Sequence, residues 1–154
     1  MAEPATQLID AVGRLDPKTA AQRLIEAQKD RAGWLDAFAE QLDRARHANT
    51  LERVLVVWDI NQSDAARLFG VSRQAISKWL SQGVPPDRAG AIADLAAATD
   101  LLVHHLKRER IPAVVRRKAP ALNNESLLGL LERQDAQAVL AACRAMFAFG
   151  EAHG

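Results

Sequence analysis

At 154 residues, with 49% apolar side chains, the chain is long enough for one domain or two small helical ones. Its net charge of +1 argues against indiscriminate coating of nucleic acid, although a sequence-specific binder needs only a local basic face. One cysteine excludes an intrachain disulfide, and the lack of tyrosine and of strand-like alternation favours an all-α fold.

In chain order, Leu8, Ile9, Val12 and Leu15 form the apolar side of a short helix that closes near Asp16-Pro17. A longer pattern runs through Leu24, Ile25, Trp34, Leu35, Phe38 and Leu42, with Gly33 marking a break. Residues 1–48 therefore read as an N-terminal helical extension. Its stripe buries either on the chain's own core or against a second copy, as a dimerisation element.

Residues 49–110 read as the central domain. Thr50 is expected to cap a helix carrying Leu51, Val54, Leu55, Val57 and Trp58. Asn61 caps the next, which starts at Gln62 and places Asp64 where a carboxylate favours the helix dipole. Ala65, Ala66 and Phe69 lie on one face, Gly70 supplies a turn, and Val71 plugs beneath it. Ser72 caps a further helix, with Ile76 and Trp79 inward. Leu68 falls outside this small core, either as an exposed leucine or as a docking point for the N-terminal helices. Gln82-Gly83-Val84-Pro85-Pro86 is a stop and turn. A last helix runs from about Asp87 to Lys107, with Ile92, Leu95, Ala96, Leu102, Val103 and Leu106 inward.

What remains outward on the helix at 72–80 is Arg73, Gln74, Ser77 and Lys78. These side-chain types reach base edges and phosphates in a major groove. Arg73 suits guanine O6 and N7. Gln74 suits adenine N6 and N7, or a phosphate. Ser77 suits a base edge or a backbone oxygen, and Lys78 a phosphate. The amides at the Ser72 end face phosphate.

The segment QSDAARLFGVSRQAISKWLS, residues 62–81, resembles the helix-turn-helix of the Cro/repressor-like (Xre) family. The likeness covers roughly residues 50–90. It implies a transcriptional regulator, a repressor, that binds double-stranded DNA as a homodimer. It also implies that Gln62 touches the DNA backbone.

Residues 111–154 read as a C-terminal helical unit for dimerisation or partner binding. Pro112 breaks or kinks the chain at its start. Asn123-Asn124-Glu125-Ser126 is a turn with capping residues, Leu127, Leu128, Leu130 and Leu131 start a helix, and Val139, Leu140, Cys143, Met146 and Phe147 belong to a final one. Cys143 reads as a buried thiol in a reducing compartment. The run at 104–118 carries Lys107, Arg108, Arg110, Arg116, Arg117 and Lys118 against Glu109. It is either a solvated face or a set of phosphate contacts, for which Arg116, Arg117 and Lys118 are the candidates.

Pro120, Ala121, Leu122, Ser126, Leu127, Leu130 and Leu131 resemble the C-terminal domain of Xre/MbcA/ParS-type antitoxins. Val114-Val115 and Asn123-Asn124 depart from that family's tryptophan and glycines. The resemblance implies the alternative function: an antitoxin that binds a RES-type, NAD-consuming toxin through its C-terminal domain, blocks the toxin's active site with its tail, and autoregulates its operon.

Adjacent His104 and His105 diverge on a helix, and no Cys or His spacing suits a metal, so no metal, cofactor or catalytic residue is expected. No signal peptide is visible and no apolar run is long enough for a membrane span, so the expected location is the cytoplasm.

Overall fold

The computed structural model describes residues 4–152, with side chains at 7 and 10–148. Leu8 and Ile9 are helical, but the burial expected of their side chains lies outside what is described. Among the described residues the fold is all-α, with a single isolated bridge pair, Ala119 with Glu125. The chain packs as two compact units that divide after Gln41.

The first unit holds α1 (Pro4–Gly13), α2 (Pro17–Gln28) and the start of α3 (Trp34–Trp58). The Asp16 carboxylate caps α2, accepting from the Thr19 amide at 3.0 Å and the Thr19 hydroxyl at 2.6 Å. These two bonds hold the Asp16 carboxyl below its ordinary pKa. Pro17 fits the first turn, where no amide is needed. Gly33, at φ +81°, makes the expected break before α3, and Trp34 stacks on Phe38 with centroids 5.1 Å apart. No described side chain of this unit is buried, and Ile25 is 54% exposed.

The second unit begins at Leu42. Here α3 runs unbroken through Thr50, which caps nothing. Its hydroxyl instead donates to the Arg46 carbonyl one turn back, at 2.9 Å. The boundary expected at 48/49 therefore falls inside a helix. Ala48, Leu51, Val54, Leu55, Val57 and Trp58 form the buried face of α3. Trp58 Nε1 donates to Thr99 Oγ1 at 3.0 Å, and that hydroxyl donates to the Leu95 carbonyl at 2.7 Å. The polar atoms of this buried pair are thus satisfied.

Next come α4 (Gln62–Phe69) and α5 (Arg73–Gln82), then a 3-10 turn at Pro86–Arg88 leading into α6 (Ala89–His105). Val103 does not face inward as expected but is 38% exposed, and Ala96 is only half-buried. Pro112 starts a helix rather than breaking one: it occupies the first turn of α7 (Ile111–Arg116). A 3-10 turn at Pro120–Leu122 leads to Asn123 and Asn124, both at positive φ, as the expected turn requires. Ser126 caps α8 (Leu127–Glu132), and α9 (Ala136–Ala152) lies along α6.

One apolar cluster links α3–α6 to α7–α9, from Leu51 through Ile111 and Val115 to Cys143. The division expected at 110/111 thus runs through continuous core. Burial pushes the Cys143 thiol up to about 11, which leaves it protonated and inert at neutral pH.

The exit of α5 is fixed by a close approach to α3. The Val84 amide donates to the Arg44 carbonyl and Arg44 Nε to the Val84 carbonyl, both at 3.4 Å. Between them sits Gly83 at φ +112°, where an added Cβ would stand 2.7 Å from Arg44 Cβ. Gly83→Ala combines strained backbone with a clash and is expected to cost about 2–4 kcal/mol. Urea unfolding reads it as a lowered midpoint at constant slope. An unchanged midpoint would show that α3 yields at Arg44.

Candidate nucleic-acid interface

Local capping builds the α4–α5 pair as the sequence suggests. Asn61 Oδ1 accepts from the Asp64 amide at 2.8 Å. Gly70 takes the left-handed conformation, φ +66° and ψ 35°, and the Val71 amide returns to the Ala66 carbonyl at 2.9 Å. That closure is of the Schellman type and turns the chain sharply. Ser72 Oγ then accepts from the Ala75 amide at 3.0 Å and opens α5. Ala65 and Ile76 are fully buried between the helices, and Phe69 meets Trp79 edge-on at 6.0 Å.

This packing settles which face of α5 is free. Ser72, Arg73, Gln74, Ser77 and Lys78 are all exposed, and Gln62 is half-buried at the start of α4. Neither Arg73 nor Lys78 joins an ion pair among the described residues, whereas Arg67 is held by Asp64 and by Glu132. The α5 face therefore offers two uncommitted cations flanking two neutral hydrogen-bonding side chains, all on one short helix.

Two expectations change. Leu68 is not exposed: at 1% exposure it is core of the second unit, in which α8 packs on α4. Arg116 is engaged within the chain. Its Nη1 donates to the carbonyls of Trp58 and Pro112, each at 2.8 Å, and its Nη2 to that of Asp59 at 2.6 Å. It thus closes the C-terminal end of α3, where unpaired carbonyls favour a cation. Leu106 packs half-buried against the core, as expected, just past the end of α6. Arg117 and Lys118 remain exposed.

The sequence reading missed the residues that brace the α4–α5 turn from outside. Gln134, at φ +63° between α8 and α9, donates its Nε2–H to the Leu68 carbonyl at 2.7 Å and lies against Gly70. Arg67 binds Glu132 at 2.7 Å. Arg88 donates to the Phe69 carbonyl at 3.1 Å and stands 5.6 Å over the Trp79 ring. The hydrogen-bonded partners lie 19 to 66 residues apart in sequence, and no local pattern announces them.

Elsewhere, His105 stacks on Phe147 at 4.2 Å, and His104 meets His105 edge-on at 4.8 Å. Among the described residues no three His, Cys, Asp or Glu side chains gather as a metal site, and no helix is long and apolar enough to cross a membrane.

No protein-family model matches the chain, and no curated protein does. Among solved structures it is similar to a chain of the crystal structure of the M. tuberculosis MbcT–MbcA toxin–antitoxin complex. The identity is 21%, the match covers 64% of this chain and 91% of that one, and the TM-score is 0.53. At that identity the likeness is one of fold.

Proposed function

We propose that the chain is an antitoxin. Its C-terminal helices α7–α9 hold a toxin protein, of the NAD-consuming RES type, and its tail occludes the toxin's active site. Its α5 reads DNA, so that the pair represses its own operon. The observation that carries this reading is the fold shared with nearly the whole of a chain from a toxin–antitoxin complex. The residues at Pro120–Leu122 and Ser126–Leu131 add to it, since they form the turn and capped helix that the antitoxin resemblance implies.

The test is genetic and biochemical. The gene next to this one, expressed alone, is expected to arrest growth and deplete NAD. Co-expression with this chain is expected to restore growth and give a stable complex on size exclusion. A harmless neighbour, or a toxic one that this chain neither binds nor silences, would end the antitoxin reading.

A second reading is a repressor without a toxin. The exposed Arg73, Gln74, Ser77 and Lys78 support it as they support the DNA-reading half of the first. In this reading a homodimer sets two α5 helices in successive major grooves and binds an inverted repeat about one DNA turn apart. No enzymatic step is proposed in either case.

A further inference from the structure

A cleft of about 340 Å³ opens between the end of α4, the start of α6 and the α8–α9 junction. Its walls are apolar. Phe69 and Leu131 belong to the core, and Ala91 and Ala136 are small enough to leave the space open. Three polar side chains, Asp87, Arg88 and Gln134, complete the lining. A larger groove, about 480 Å³, lies between α6 and α9, but its carboxylate, Asp100, is already paired with Arg53 at 2.7 Å.

The polar groups of the smaller cleft have bonding capacity to spare. Arg88 Nη1 is taken by the Phe69 carbonyl, while its Nε and Nη2 have no acceptor among the described residues. The Asp87 carboxylate joins no ion pair among the described residues, not even with the guanidinium next to it in sequence. Gln134 gives its Nε2–H to the Leu68 carbonyl and keeps Oε1 as an uncommitted acceptor. Both charges are also held in place. Pro85 and Pro86 fix φ through the turn that carries them, and Arg88 is tethered at the Phe69 carbonyl and over the Trp79 ring.

We propose that this cleft binds a free α-amino acid with an apolar side chain. Ligand pockets run from about 300 to 1,000 Å³, and this one, near the lower bound, suits a molecule of that size. A lone anion would meet Asp87 and a lone cation would meet Arg88, so neither charge by itself fits. A zwitterion satisfies both: its carboxylate takes the free edge of the Arg88 guanidinium, and its ammonium takes Asp87 and Gln134 Oε1. Its side chain then covers the apolar wall. Bound there, the ligand ties α4 and α6 to the α8–α9 junction. The site needs neither the toxin nor the DNA reading.

The full-length protein is titrated by isothermal calorimetry with L-leucine, L-isoleucine, L-methionine, L-phenylalanine and L-tryptophan, each to about 10 mM, well above a millimolar Kd. At least one is expected to bind saturably, one molecule per chain. Its N-acetyl derivative, which lacks the ammonium, and its amide, which lacks the carboxylate, are each expected to bind about tenfold more weakly. Asp87→Asn should weaken the amino acid by a similar factor and leave the N-acetyl derivative unchanged, a split that general damage to the fold would not produce. Ala91→Leu fills the cleft without altering a charge and should abolish binding. Thermal melting checks that both variants fold. Amide hydrogen exchange should slow at residues 69–71 when the ligand binds.

Failure of all these amino acids to bind the wild type overturns the site. A derivative that binds as tightly as the amino acid itself overturns the zwitterion pairing. Binding that survives Ala91→Leu, with exchange slowed near His104 and Arg144 instead, moves the ligand to the α6–α9 groove and overturns this cleft as its seat.

Discussion

Arg73→Ala is expected to erase the preference for a duplex selected by the wild-type protein from a random library over random DNA, while leaving random-sequence affinity almost intact. The side chain stands at the first position of α5, exposed and without an ion-pair partner among the described residues. A guanidinium there can take guanine O6 and N7 together, a contact worth about 1–3 kcal/mol of discrimination. That corresponds to roughly 5- to 150-fold in the ratio of the two affinities. Competition mobility shifts with both duplexes measure the ratio directly. Equal weakening on the two duplexes would assign Arg73 to a phosphate instead. Ser72 sets the register of the helix from its first turn, so the alanine variant should keep α5 in place and lose only the reading group.

Trp58→Ala is expected to cost about 3–5 kcal/mol, the usual range for removing a fully buried large aromatic. The ring closes the end of α3 against α6, and its N–H supplies the Thr99 hydroxyl with a donor. A domain's whole stability is about 5–15 kcal/mol, so the variant should sit close to its unfolding threshold. Urea unfolding followed by circular dichroism measures the loss. Trp58→Phe keeps most of the volume but not the N–H, and should lose about 1–2 kcal/mol more than its small volume change alone requires. A loss under about 1 kcal/mol for the alanine variant would mean that α3 and α6 collapse onto the gap.

The parts of the fold legible in the sequence are those written in short-range chemistry. Asn61, Gly70 and Ser72 each act on an amide or a turn within a few residues, and each does what its type suggests. Cys143 sits at helical spacing among apolar neighbours and is buried as expected. The errors share another cause. Leu68 looked surplus to its own helix pair because its cover, α8, lies some 60 residues further on. Arg116 looked like one more cation in a basic run because the carbonyls it serves are 57 and 58 positions back. Thr50 is a good capping type, but tertiary packing on both sides carries α3 straight through it. Of the candidate interface, composition and spacing gave the exposed face of α5. The supports behind that face, Gln134, Glu132 and Arg88, were visible only once the chain was folded.

The burial of Leu68 has a consequence for how such a protein can be rearranged over evolutionary time. A segment ending near residue 110 would carry α4 and α5 away with Leu68 facing water, the Leu68 carbonyl without the Gln134 amide, and the end of α3 without the Arg116 guanidinium. Recombination at that seam would hand the recipient a half-covered surface rather than a working module. Point changes on the outer face of α5 leave that cover untouched, while the helices from 111 onward must travel with α4 and α5 as one heritable block.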